Sequence, residues 1–254
     1  MSVKGSTERF SSRVENYVRY RPGYPEEIID LFKKECGLTS DSIVADIAFG
    51  TGLFTRLLLD NGNRVFGVEP NQKMRRAGEE FLAGYPRFTS VVGTAEATTL
   101  PDHSLDLVTA AQAAHWFEGA PARREFQRIL RPGGCLALLW NERRLQADAF
   151  AQEYENLVVN YGTDYHEVRH QGLQRSVEAL FASSSYRMQE FATRQEFDYP
   201  ALEGRLLSSS YSPLAGHPSY RPMLEQLRNI FDTHQIRGRV AFQYDTRVYF
   251  GRLQ

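Results

Sequence analysis

The chain has 254 residues, of which 42% are hydrophobic and 24% charged, and its formal net charge is −1. These fractions exclude wholesale disorder, and the charge offers no bulk attraction to nucleic acid or anionic lipid. No apolar run reaches the roughly 18–20 residues that span a bilayer, and Cys36 and Cys135, the two cysteines, are too few and too far apart for a disulfide framework or a zinc quartet.

The N-terminal MSVKGSTERFSSR lacks the apolar centre of a signal peptide, so the expectation is a cytoplasmic chain with no membrane partner. Ile43–Ile47 is short, apolar and β-branched, and reads as the first strand. Leu53, Phe54, Leu57 and Leu58 then recur at helical spacing, with Gly62 as the stop. Residues 64–69 read as strand two, Met74, Ala77 and Phe81 as one face of a helix, 88–92 as strand three and 105–110 as strand four. A helix through Phe126, Ile129 and Leu130 stops at Arg131-Pro-Gly-Gly, and 135–140 is strand five. Near-continuous apolar strands alternating with helices predict an α/β fold, a doubly wound Rossmann-like, mostly parallel sheet covered on both faces.

The second half breaks that rhythm. Residues 188–199 and 239–252 alternate like two late strands that pair with each other and extend the sheet at the strand-five edge, giving seven strands. Residues 145–186 and 200–235 read as helices added on the C-terminal side of the strands. The expectation is a single domain over 1–254, with a cofactor-binding core at about 35–141 and a late helical cap.

The most informative stretch is Asp46-Ile-Ala-Phe-Gly-Thr-Gly52. It leaves strand one, where ligands of open α/β sheets bind. Gly50 and Gly52 let backbone approach a ligand, and Glu69 closes strand two where an acid can accept bonds from ribose hydroxyls. A dinucleotide loop needs a third small residue for its pyrophosphate, and here that position holds Thr55 or Leu53. Asp46 would repel a phosphate but suits an ammonium and a sulfonium. S-adenosylmethionine carries both cations, a ribose and an adenine, and no phosphate.

Asp46–Gly52 with Glu69, Gly93-Thr-Ala-Glu96, Ser104-Leu-Asp-Leu-Val108 and Leu130-Arg-Pro-Gly-Gly134 resemble the motifs of class I S-adenosylmethionine-dependent methyltransferases over roughly residues 10–141. Ala111-Gln-Ala-Ala-His-Trp-Phe117, Leu139-Trp-Asn141 and the segment 10–25 resemble the methyltransferase type 11, trans-aconitate methyltransferase-like branch. The resemblance implies that Asp46, Ala48, Gly50 and Gly52 surround the methionine moiety and that Glu69, with Pro70 beside it, binds the ribose. It further implies Met74 near adenine, Ala95 and Glu96 at the adenine edge, and Gln112 beside the methionine end. Ala48 departs from the family's first glycine, a methyl that the loop tolerates if φ there is below zero.

Tyr17, Arg19, Tyr20, Arg21 and Tyr24 form an aromatic–basic cluster before strand one. Two readings stand: Arg21 forks the cofactor carboxylate while a tyrosine faces the sulfonium, or the segment covers the sheet edge. Arg123, Arg124 and Arg128 read as a solvated helix face, whereas Arg143 and Arg144 fall near the pocket mouth. His115 is the candidate base or positioning group, with a packed histidine beside Trp116 as the equal alternative. The expected function is methyl transfer from S-adenosylmethionine to a small molecule, at a carboxylate or hydroxyl oxygen, leaving S-adenosylhomocysteine and using no metal and no nucleic acid partner. The rivals are a non-catalytic cofactor-binding regulator, a nucleic-acid methyltransferase and a nicotinamide oxidoreductase. Oligomeric state is not legible.

Overall fold

A computed structural model describes residues 14–163, 165 and 173–253, so the predicted segment 10–25 lies partly outside the described residues, as does the Tyr17 side chain. In chain order the elements are α1 (Val14–Tyr20), α2 (Glu27–Cys36), β1 (Ile43–Ile47), α3 (Leu53–Asp60), β2 (Arg64–Val68), α4 (Gln72–Phe81), β3 (Phe88–Val91) and β4 (Leu105–Ala111). A short 3-10 turn (Ala114–Trp116) follows, then α5 (Gly119–Ile129), β5 (Leu130–Arg143), α6 (Ala149–Tyr161), α7 (Leu173–Phe181), β6 (Arg187–Phe197), α8 (Tyr199–Leu207), α9 (Tyr220–His234) and β7 (Val240–Arg252). The seven strands form one sheet in the order β3-β2-β1-β4-β5-β7-β6, parallel except that β7 runs antiparallel to both neighbours. The order turns back between β1 and β4, which leaves a crevice beyond their C-terminal ends.

Successive strand residues face opposite sides, so both faces are apolar. Ile47, Val68, Val108, Leu136 and Leu138 pack under α5 and α7 with Phe126, Val177 and Phe181. Val44, Val65, Leu107, Leu139 and Phe250 pack on the other face under α2 and α3, against Phe32, Phe54 and Leu58. The edge strand β6 is mostly solvated and carries Arg187, Glu190, Arg194 and Glu196, charges that discourage further pairing.

Three details differ from the sequence expectation. α5 ends at Ile129, just before the Arg-Pro-Gly-Gly run, but that run is not a loop: β5 begins at Leu130, which pairs with Leu105, and a register shift between Leu105 and Leu107 accommodates it. Its far end runs past Trp140 to Arg143, paired with Tyr244 of β7. Within the predicted cap, α6, α8 and α9 enclose an apolar cluster of their own, including Tyr154, Leu157, Leu202, Leu227 and Phe242, but α7 packs beside α5 on the sheet. Third, Cys36 and Cys135, 99 residues apart, pair as a disulfide with Cα atoms 5.7 Å apart. The fold brings the end of α2 against the start of β5, a proximity that sequence spacing does not carry. Intact mass under non-reducing conditions should be lower by two hydrogens than that of the reduced chain, and reduction should cost about 2–4 kcal/mol of unfolding free energy. An unchanged mass contradicts the pairing.

Candidate functional site

A cleft of about 620 Å³, counting its open mouth, lies beyond the C-terminal ends of β1, β4 and β5. Asp46 and the Ala48–Gly50–Thr51 loop form its floor, Leu53 and Phe54 of α3 one wall, and Ala111, Gln112 and Asn141 the other. Arg21, Pro22, Tyr24 and Arg205 complete it from above. The strap before α2 is held there by the Asn141 amide, which donates to the Gly23 carbonyl at 3.1 Å, and by Arg21, which donates to the Ser208 carbonyl at 3.0 Å. The Tyr24 ring meets Phe54 edge-on at 5.0 Å. Gly204 permits this closure, because a Cβ there would run into the Tyr20 ring at 2.1 Å.

The loop is pinned in a left-handed path. Ala48 has φ +55 and Gly50 +59, and the amides of Ala48 and Phe49 both donate to the Val68 carbonyl, at 2.7 and 3.3 Å. The condition under which the Ala48 methyl would be unstrained, φ below zero, is not met: its Cβ is carried in a conformation that costs an L-residue about 1–2 kcal/mol. What fixes the path is Phe49, whose ring meets Phe88 at 5.4 Å and fills the space left open by Gly67 and Gly78. Across the cleft, Gln112 is also left-handed, at φ +58, with its amide on the Leu139 carbonyl at 2.8 Å and its side chain on the Asn141 carbonyl at 3.1 Å. Two strained non-glycine residues thus line one cavity, as is common where a ligand is gripped.

Two buried carboxyls end the first two strands. Asp46 accepts from Thr55 Oγ1 at 2.6 Å and from Thr109 Oγ1 at 2.9 Å. Burial outweighs those bonds and pushes its pKa up to about 7, with the nearby Glu69 adding to the rise. Glu69 accepts from the Gly50 amide at 3.0 Å and the Asn71 amide at 2.8 Å, and burial raises it too. Each carboxylate oxygen has a second acceptor site, so both acids keep capacity for a ligand's donors. The floor is therefore acidic but reluctant to ionise alone, a setting that a cation would relieve and a phosphate would worsen.

Of the predicted site residues, Asp46, Ala48, Gly50, Gln112 and Arg21 come together at the cleft. Gly52 stands one residue behind, at φ +84, where a Cβ would meet Leu82 at 2.7 Å. Glu69 and Met74 support the loop from beneath: Glu69 through the Gly50 amide, Met74 through a methyl that a Cβ on Gly50 would meet at 3.3 Å. Pro70 is exposed and Ala95 buried, and neither lines the cleft; Glu96 accepts from the Glu118 amide at 2.9 Å at the start of α5. His115 lies in the 3-10 turn with its ring 4.6 Å from Trp116, is not among the residues lining the cleft, and has its pKa lowered to about 4 by burial. Arg143 pairs with Glu155 at 3.0 Å and Arg144 with Asp245 at 2.5 Å, while Arg128 bridges Glu125 and Asp102 on the α5 surface.

Sequence reasoning missed Asn141 and Arg205 as lining residues. Arg205 had a signal: it shares one helical face with the buried Leu202 and Leu206, where an arginine is out of place.

The profile of a family described as a methyltransferase domain matches residues 45–138, which run from β1 into β5. Over that stretch the chain is similar to methyltransferase domains. An uncharacterized methyltransferase of Mycobacterium tuberculosis is 40% identical over 134 residues, covering 53% of this chain and 52% of that protein. The chain spans about half the length of the curated relatives it matches. Among solved structures, a provisionally assigned type II methyltransferase from Anaeromyxobacter dehalogenans superposes with a TM-score of 0.66 at 22% identity, covering 92% of this chain and 98% of its own. A provisionally assigned methyltransferase of an antibiotic biosynthesis pathway in Anabaena variabilis gives 0.64 at 24% identity, covering 92% and 99%. These likenesses establish the fold of the methyltransferase domain. They do not single out the trans-aconitate-like branch. Within that domain Ala48→Gly should relieve the left-handed strain and raise unfolding free energy by up to about 1 kcal/mol in urea titrations; a loss of stability would contradict the strained reading of the loop.

Proposed function

We propose that the chain transfers a methyl group from S-adenosylmethionine to a small-molecule acceptor. The observation that carries this reading is the buried Asp46 carboxyl at the floor of the cleft, beside a left-handed loop and within reach of no phosphate-binding cation of that loop. The residues fit the cofactor: Asp46 for its cationic methionine end, the Gly50 backbone for close approach, Glu69 for the ribose hydroxyls and Arg21 for its carboxylate. When bound, S-adenosylmethionine supplies an electrophilic methyl on a sulfonium. Among the described residues no helix is long and apolar enough to cross a membrane, and the net charge of −1 favours a small acceptor over nucleic acid.

The chain's own contribution is positioning. The strap and the cap close over the strand ends, which holds acceptor and methyl together and limits water. A carboxylate acceptor arrives ionised and needs no base; a hydroxyl or amine must lose a proton as its oxygen or nitrogen bonds carbon. His115, with a pKa near 4, is a weak base at neutral pH, so we assign it a positioning role. The cap, α6 with α8 and α9, selects the acceptor.

Calorimetry should give micromolar binding of S-adenosylhomocysteine, roughly −8 kcal/mol. Asp46→Ala and Glu69→Ala should each weaken it by about 1–3 kcal/mol, and wild-type affinity in both folded variants contradicts the assignment. Once an acceptor is in hand, His115→Gln should retain most of the rate; a loss of a hundredfold or more would instead make it the base.

A further inference from the structure

The roof of the cleft contains a cation that no carboxylate among the described residues neutralises. Arg205, in α8, is 5% exposed, and its Nη1 donates to Ser209 Oγ at 3.1 Å. Its Nε has no hydrogen-bond partner, and no carboxylate among the described residues pairs with it. Two phenols lie nearby: Tyr154 of α6 and Tyr244 of β7 are each 1% exposed, the Tyr154 hydroxyl has no partner among the described residues, and the Tyr244 hydroxyl faces the Arg205 guanidinium with its own proton unplaced. The neighbouring Arg143 shows the contrast. It stacks over the Tyr154 ring at 4.6 Å and is neutralised by Glu155, which also accepts from the Tyr165 hydroxyl at 2.6 Å.

Buried polar groups are nearly always bonded, and a buried charge without a partner is strongly disfavoured. Water can satisfy the hydroxyls, but it cannot neutralise the guanidinium. Arg205 also lines the cleft itself, so an anionic group that enters the cleft can reach its guanidinium. Burial would raise the Tyr211 phenol, yet Arg143, Arg205 and Arg21 together leave its pKa below the ordinary value, which marks the roof as electropositive. Burial holds Tyr154 well above the ordinary range, so it remains an O–H donor at neutral pH.

We propose that Arg205, Tyr154 and Tyr244 form an anion subsite that binds a carboxylate or phosphate group of the methyl acceptor. The role of acceptor rests on the methyl-transfer reading; the anion subsite itself does not. An oxyanion there pairs with the Arg205 fork and accepts from both phenols, which answers all three orphaned donors at once.

The test uses the full chain saturated with S-adenosylhomocysteine, titrated by calorimetry and thermal shift with succinate, with inorganic phosphate and with the neutral diamide of succinic acid. Saturable binding of succinate or phosphate, and none of the diamide, is expected; the anion that binds assigns the oxyanion class. Tyr154→Phe and Tyr244→Phe each delete one buried hydroxyl and keep the ring, so they should fold as the wild type and weaken anion binding by roughly 3–10-fold. Arg205→Met should weaken it by roughly 10–100-fold; if that variant does not fold, the two phenylalanine variants decide. Anion binding that is absent, that survives Arg205→Met or both tyrosine changes, or that occurs only without S-adenosylhomocysteine, overturns the proposal. The last result would place the anion where the cofactor carboxylate goes. Failure of the wild-type chain to bind S-adenosylhomocysteine counts against the methyl-transfer reading instead.

Discussion

The site depends on one buried carboxyl. Asp46 ends an otherwise apolar strand at the centre of the sheet, and hydroxyls from α3 and β4 hold it from two sides. Those elements flank the reversal in strand order, so the acid ties together the three pieces of chain that define the crevice. Thr55 thereby has two consequences. It removes the small residue a pyrophosphate loop requires, and it supplies the donor that fixes the acid. Burial makes the site electrostatically uncomfortable on its own, since two bonds do not offset the desolvation that drives Asp46 to about 7. A cationic ligand turns that discomfort into affinity.

The backbone around the acid is arranged at a cost. Ala48 and Gln112 both occupy left-handed conformations on opposite walls, and each is held by amide bonds to a neighbouring strand. Phe49 enforces the path of the first, because its ring has a fitted space only when the loop turns that way. Above, the strap from Arg21 to Tyr24 and the helix carrying Arg205 close the same cavity from two distant parts of the sequence. The floor is acidic and the roof basic. That polarity orders a ligand or a pair of ligands with cationic groups down and anionic groups up.

Much of this architecture was legible in the sequence, and the omissions have physical causes. The parallel strands were readable because burial on both faces demands apolar runs, and the late strands because β7 and β6 alternate. The loop was readable from its acid and glycines. The sign of φ at Ala48 was not, because it is set by the tertiary packing of Phe49. The Cys36–Cys135 pair was invisible for the same kind of reason, since only the folded sheet brings α2 against β5. His115 was singled out from its place after a strand, a signal that does not say how deeply the short turn buries its ring. Arg205 was overlooked because arginines in helices are usually solvated; only its neighbours Leu202 and Leu206 mark that face as buried.

The central claim is that a buried, largely proton-retaining Asp46 receives the cationic end of the cofactor. Proton release on binding tests it most directly. Titrating the chain with sinefungin, which keeps a cation where the sulfonium lies, in buffers of different ionisation enthalpy yields the number of protons released. A folded-state pKa of about 7 leaves Asp46 about half protonated at pH 7, and a bound cation lowers that pKa. About half a proton should therefore leave at pH 7, more at pH 6 and little at pH 8.5, with affinity rising as pH increases through 7 and then levelling. Asp46→Asn should abolish both the release and the pH dependence. Binding that releases no proton at pH 7 and keeps one affinity from pH 6 to 8.5 would contradict the account.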